Sequence, residues 1–118
     1  MSGRIIEPVP VLVVDDEADM RISYDRLLRR LGYRVIESES RAHGLAIIRA
    51  EPLALVVSDL KLSDGSGLDV VAAARAVPTH VPSIVVTGFL SPHSRSAALE
   101  AGASAFLAKP FAASDFTA

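Results

Sequence analysis

Cysteine is missing from all 118 residues. That excludes a disulfide framework and any thiolate chemistry, and a reducing, cytoplasmic setting is the plain expectation. Aromatics make up only 5% of the chain, so the core has to be built from Val, Leu, Ile and Ala. No stretch approaches the ~20 apolar residues of a bilayer span. The opening Met1-Ser2-Gly3-Arg4 leads into no apolar region of the secretory kind. Charge of one sign is lacking too. The formal net charge is −2 with acids and bases interspersed, so neither a basic stripe for nucleic acid nor a polybasic membrane patch is expected. The length suits one domain, residues 1–118, with a core of useful size.

What is present alternates. Val11–Val14 is a continuous apolar run, as in a strand covered on both faces. After Asp15-Asp16-Glu17 a helix is predicted to Leu31, with Tyr24, Leu27, Leu28 and Leu31 on one face and Gly32 ending it. Arg21, Arg26, Arg29 and Arg30 are then placed largely outward, as a solvated or partner-docking face. Strands follow at 33–38, 53–58, Ser83–Thr87 and Ala105–Ala108. Ser40 caps a helix through about Ala50, and a helix after Asp64-Gly65-Ser66-Gly67 presents Leu68, Val71 and Ala72. Another helix runs over Pro92–Ala101 to Gly102. A last one begins near Ala112 and has about two turns before Ala118, too few to stand without packing. The chain is therefore expected to be the N-terminal part of a longer protein. Five strand–helix units with short links predict an α/β sandwich around a parallel sheet.

Four apolar runs end in chemistry: Asp15-Asp16, Asp59, Thr87 and Lys109. In open parallel sheets ligands collect beyond the carboxyl ends of the strands, where the strand order reverses. The flavodoxin-like order 2-1-3-4-5, with helices on both faces in three layers, sets strands one and three side by side. Asp15 and Asp16 then adjoin Asp59, with Thr87 and Lys109 on the next two strands. Taken singly, each has a plain structural explanation: helix start, turn, strand end, solvated lysine. Taken together, the carboxylates repel by several kcal/mol at ~4–5 Å and an effective dielectric near 20. Such a cluster raises a pKa or recruits a cation. Carboxylates without His or Cys suit Mg²⁺ or Mn²⁺, which can bridge a phosphoryl group. Lys109 offers that group a point charge and Thr87 a hydroxyl, beside an uncrowded Gly88. Asp59, alone at the centre of the sheet, is the best nucleophile, giving an acyl phosphate.

The stretches Val13-Val14-Asp15-Asp16-Glu17, Ser58-Asp59-Leu60-Lys61-Leu62-Ser63-Asp64-Gly65-Ser66-Gly67-Leu68, Val85-Val86-Thr87-Gly88 and 102–111 together resemble a response-regulator receiver domain of two-component signalling. The resemblance covers essentially the whole chain. It implies that Asp59 accepts a phosphoryl group from a phosphohistidine of a sensor histidine kinase or histidine phosphotransfer protein. It implies a Mg²⁺ held by Asp16, Asp59 and the backbone carbonyl of Lys61, with Asp15 acting through water. Thr87 and Phe106 match a switch pair that relays phosphorylation to the face of the fourth helix, fifth strand and fifth helix, a face open to homodimer formation. It further implies a cis bond at Lys109–Pro110. The chain would be the receiver part of a longer response regulator, a signalling domain rather than an enzyme in the usual sense.

Departures from the pattern are Ser63, where proline is frequent, and Ala54, where an acid is frequent. Lys61 and Phe89 offer no carboxylate or amide to orient an attacking water, so slow self-dephosphorylation is expected. Other classes fit less well. A haloacid-dehalogenase-type phosphatase needs an acid two residues after its nucleophile, where Lys61 stands. Flavodoxin's first loop would not be acidic. A calcium loop at Asp59 is blocked by Lys61, and no G-x-x-x-x-G-K-[ST] loop exists. The serious rival is a protein-interaction module of the same fold that is not phosphorylated. His43, His80 and His93 are scattered and suggest no site.

Overall fold

The computed structural model describes residues 9–88 and 91–109. Its main sheet has five parallel strands: β1 (Val11–Val14), β2 (Val35–Ser38), β3 (Leu55–Asp59), β4 (Ser83–Thr87) and β5 (Ala105–Ala108). Their spatial order is β2-β1-β3-β4-β5, as the sequence predicts. Register runs Val13 against Val57 and Glu37, Asp59 against Val86, and Thr87 against Ala108. Four helices connect the strands: α1 (Ala18–Arg30), α2 (Arg41–Ala50), α3 (Gly67–Ala76) and α4 (Pro92–Ala101). The predicted last helix lies outside the described residues.

Alternation along the strands divides the core into two layers. Val11, Val13, Val57, Ile84 and Val86 pack with Tyr24 and Leu28 of α1 on one face. Leu12, Val14 and Val56 pack with Ile48 of α2 and Val70 and Ala74 of α3 on the other. Val85, Val71 and Ala98 continue this second face toward α4, with Phe106 packed against them. Burial on both sides is why the strands read as unbroken apolar runs rather than alternating ones.

Helix ends follow side-chain chemistry. At the end of α1, Gly32 at φ 95° sends its N–H to the Arg29 carbonyl, and Tyr33 sends its own to that of Leu28. That pair of bonds is a Schellman closure, and it moves the start of β2 to Val35. Ser40, Ser66 and Ser91 accept from the amides of His43, Leu68 and Ser94 and so cap α2, α3 and α4.

Three sequence expectations need correction. The link after β3, whose Asp64-Gly65-Ser66-Gly67 reads in the sequence as a loop, forms a two-stranded antiparallel ribbon, Lys61–Leu62 against Gly65–Ser66. On α3, Ala72 is exposed, whereas Val70, Val71 and Ala74 are buried, because the helix starts at Gly67 and this sets the phase of its apolar stripe. Arg21 is not on the solvated face: its side chain is only 16% exposed.

Candidate functional site

The carboxyl ends of β1, β3, β4 and β5 converge on a cleft of ≈ 580 Å³ lined by Asp16, Glu17, Asp59, Lys61, Thr87, Gly88 and Lys109. A second cleft, ≈ 430 Å³, opens at the other end of the strands near Arg75, His80 and Ser104 and holds none of the strand-end groups.

Asp15, the residue after β1, is 0% exposed. Its Oδ1 accepts from the Glu17 N–H at 2.9 Å and its Oδ2 from Lys109 Nζ at 3.1 Å. Burial pushes its carboxyl pKa up, against the opposing pull of these two bonds. Asp59, the last residue of β3, accepts from the Lys61 N–H through Oδ1 at 3.3 Å and from Lys109 Nζ through Oδ2 at 3.0 Å. Lys109 thus bridges two carboxylates contributed by neighbouring strands. Burial alone would lower its pKa, but the hydrogen bonds to Asp59 and Asp15 and the attraction of their charges together outweigh that and raise it, so the ammonium stays charged. Lys109 is placed by β5, and its own N–H donates to the Thr87 carbonyl at 2.9 Å. Thr87 is buried at the end of β4. Beneath the site, on the α1 face, Tyr24 is fully buried. Burial, then the charges of Asp15, Asp59 and Glu17, keep its phenol protonated.

Carboxylate oxygens of Asp15, Asp16, Glu17 and Asp59 all lie within 4.8 Å of one another. At that spacing a pair repels by roughly 3–4 kcal/mol at an effective dielectric near 20, and one ammonium cannot balance four acids. The donor set is all hard oxygen, with no His or Cys, so it fits a cation of the Mg²⁺, Mn²⁺ or Ca²⁺ type. The sequence reading left Glu17 out of this set. The structure adds it, with Oε1 at 3.8 Å from Lys109 Nζ. Its place directly after the acidic pair was the available signal.

The loop after Asp59 folds back on it. The Gly67 N–H donates to the Leu60 carbonyl at 2.8 Å, and a Cβ at Gly67 would overlap the Asp59 carbonyl oxygen. Asp64, at the ribbon's tip, accepts from the Arg41 and Ala42 amides at 2.8 and 3.0 Å. Arg41 Nε in turn reaches Asp69 of α3 at 2.8 Å.

The sequence itself, over residues 11–118, matches the family described as the response regulator receiver domain. The chain belongs to the response regulator receiver domains. Relatives of this receiver domain include the photosynthetic apparatus regulatory protein RegA of Rhodovulum sulfidophilum, 37% identical over 98% of this chain and 63% of that protein. The acid tolerance regulatory protein ActR of Rhizobium meliloti is 38% identical over 92% of the chain and 56% of its own length. The chain therefore spans less than two thirds of these relatives. Among solved structures, a CheY-like receiver domain from Methanospirillum hungatei superposes with a TM-score of 0.86, at 31% identity over 94% of this chain and 89% of that one. A Burkholderia pseudomallei response regulator with a phosphorylated aspartic acid and a calcium ion gives 0.85, at 28% identity over 92% of this chain and 64% of that one.

The structure brings Asp16, Asp59, Lys61, Thr87 and Lys109 to one cleft, with Asp15 buried behind them against Lys109. Phe106 stands apart, half-buried against Leu60, Val71, Val85 and Ala98. Phe89 and Pro110 lie outside the described residues. No helix among the described residues is long and apolar enough to cross a membrane.

Proposed function

We propose that this receiver domain is a phosphorylation-dependent switch in which Asp59 accepts a phosphoryl group from a phosphohistidine of a sensor histidine kinase or histidine phosphotransfer protein. The observation that carries the reading is the Lys109–Asp59 contact at 3.0 Å within an acidic, solvent-open cleft. An Asp59 oxygen attacks phosphorus and an O–P bond forms. The N–P bond breaks, and its electron pair returns to the donor imidazole. Asp16, Asp59 and the Lys61 carbonyl would hold Mg²⁺ (or Mn²⁺), with Asp15 acting through water. The bound ion supplies charge neutralisation at the phosphoryl oxygens. Lys109 trades a carboxylate partner for a phosphoryl oxygen, and Thr87 turns its hydroxyl to the same group. The space vacated takes the Phe106 ring, and the change reaches the face of α4, β5 and the chain beyond.

The same face would serve a homodimer, and a relative's beryllofluoride-activated receiver domain is itself a dimer. The greater length of the relatives supports a longer response regulator around this domain; its N-terminal place there and a cytoplasmic setting belong to the same proposal. With Lys61 beside Asp59 and Phe89 after Gly88, neither side chain can orient a water as a carboxylate or amide would. The aspartyl phosphate therefore decays slowly.

Amide NMR with Mg²⁺ and beryllofluoride tests the switch. Shifts centred on Asp59, Thr87 and Phe106 are expected, and a silent spectrum would leave only a passive interaction module. Intact mass after a small phosphodonor should gain one phosphoryl group, lost in Asp59→Asn. A phosphoryl half-life of seconds at room temperature counts against slow decay.

A further inference from the structure

We infer that Arg21 is a positioning residue for the cation site, holding the Asp15–Asp16 peptide so that the Asp16 carboxylate faces the ion. The inference rests on the cation-dependent reading above. Arg21 Nη1 donates to the Asp15 carbonyl at 2.6 Å, and its Nε lies 3.6 Å from Glu37 Oε1 on β2. The other polar groups of buried Asp15 are bonded as well: its N–H to the Ser38 carbonyl at 3.0 Å, Oδ1 to Glu17 and Oδ2 to Lys109. Arg21 supplies the partner of the carbonyl. A peptide is planar, so fixing that carbonyl fixes the N–H and Cα of Asp16. Asp16 is exposed, and its direction depends on the peptide it hangs from. The planar guanidinium spans the carbonyl and Glu37 with two different nitrogens, a separation that a lysine ammonium, a single point of charge on a shorter stem, does not reproduce.

Charge and position make opposite demands here. A cation beside a cation site opposes metal binding by Coulomb repulsion, so on charge alone Arg21→Gln should tighten Mg²⁺ and Arg21→Lys should leave it unchanged. Positioning requires both to weaken it, on the order of 10-fold in Kd, as for other supporting partners of metal ligands.

Mg²⁺ titration of the full chain, followed through the Lys61 and Gly88 amides, decides between them for wild type, Arg21→Lys, Arg21→Gln and Asp16→Asn. Melting without divalent ion runs in parallel. Weaker binding in both Arg21 variants at near-wild-type melting supports the inference, and Arg21→Lys carries the test if Arg21→Gln does not fold. Unchanged or tighter Mg²⁺ in the variants overturns it, as does a fall in melting temperature with the affinity intact. If wild type ignores Mg²⁺, or Asp16→Asn titrates like wild type, the cation reading fails and this inference falls with it. Wild-type binding with unaffected Arg21 variants overturns this inference alone.

Discussion

Asp15 is a carboxylate buried away from bulk solvent. Burial raises its folded pKa above the ordinary value, so its ionised form weakens the fold and stability is gained as pH falls through that raised value. Asp15→Asn removes the charge, keeps an acceptor for the Glu17 N–H, and leaves Lys109 with Asp59. Its melting temperature in divalent-free buffer at pH 7 should exceed wild type, with the gap closing on acidification. Calorimetry across pH checks this, and a lower melting temperature at pH 7 would contradict it. Gly67 is constrained by space alone: a methyl there would overlap the Asp59 carbonyl, and backbone cannot swing aside as a side chain can. Gly67→Ala should cost about 1–3 kcal/mol in urea denaturation and weaken Mg²⁺ binding, because the displaced atom belongs to Asp59, the proposed phosphoacceptor.

At the scale of elements, the ribbon after β3 fastens the site loop to α2. Ser40 takes the His43 amide, while Asp64 takes those of Arg41 and Ala42, so three amides of the first turn find side-chain acceptors. These backbone bonds hold the Asp64 carboxyl below its ordinary value of 3.8. A depressed folded pKa gives stability that is present above the unfolded value and lost as pH falls through the folded one. Asp64→Ala should therefore melt below wild type at pH 7, and the two curves should converge under acid conditions. Thermal melts from pH 7 downward test this, and a constant gap would exclude the carboxylate as the cap. Asp64 was legible only as a turn residue, because its partners lie more than twenty positions away.

For the whole molecule, one sheet separates two apolar layers. Leu12 and Leu28 are each fully buried, in different layers. Leu12→Ala and Leu28→Ala should each cost roughly 2–5 kcal/mol. The two clusters share no member, so the double variant should show the sum to within ~0.5 kcal/mol. Urea titrations of the three variants measure it, and a large coupling would mean that the layers communicate through β1.

Sequence by itself determined the strand order and the identity of the strand-end groups. Buried parallel strands must be apolar throughout, so a polar residue closing such a run stands out, as Asp59 and Thr87 do. Five elements, β1, α2, β4, α4 and β5, have the predicted limits, and for α4 local chemistry sets them: Ser91 and Pro92 start it, and Gly102 at φ 108° ends it. Tertiary structure alone decided where long polar side chains go. Arg21, Arg26 and Arg30 read alike along the helix, yet only Arg21 has a buried carbonyl and a β2 glutamate within reach. Such partners are distant in sequence, and a flexible charged side chain leaves no periodic mark of the contact it will make.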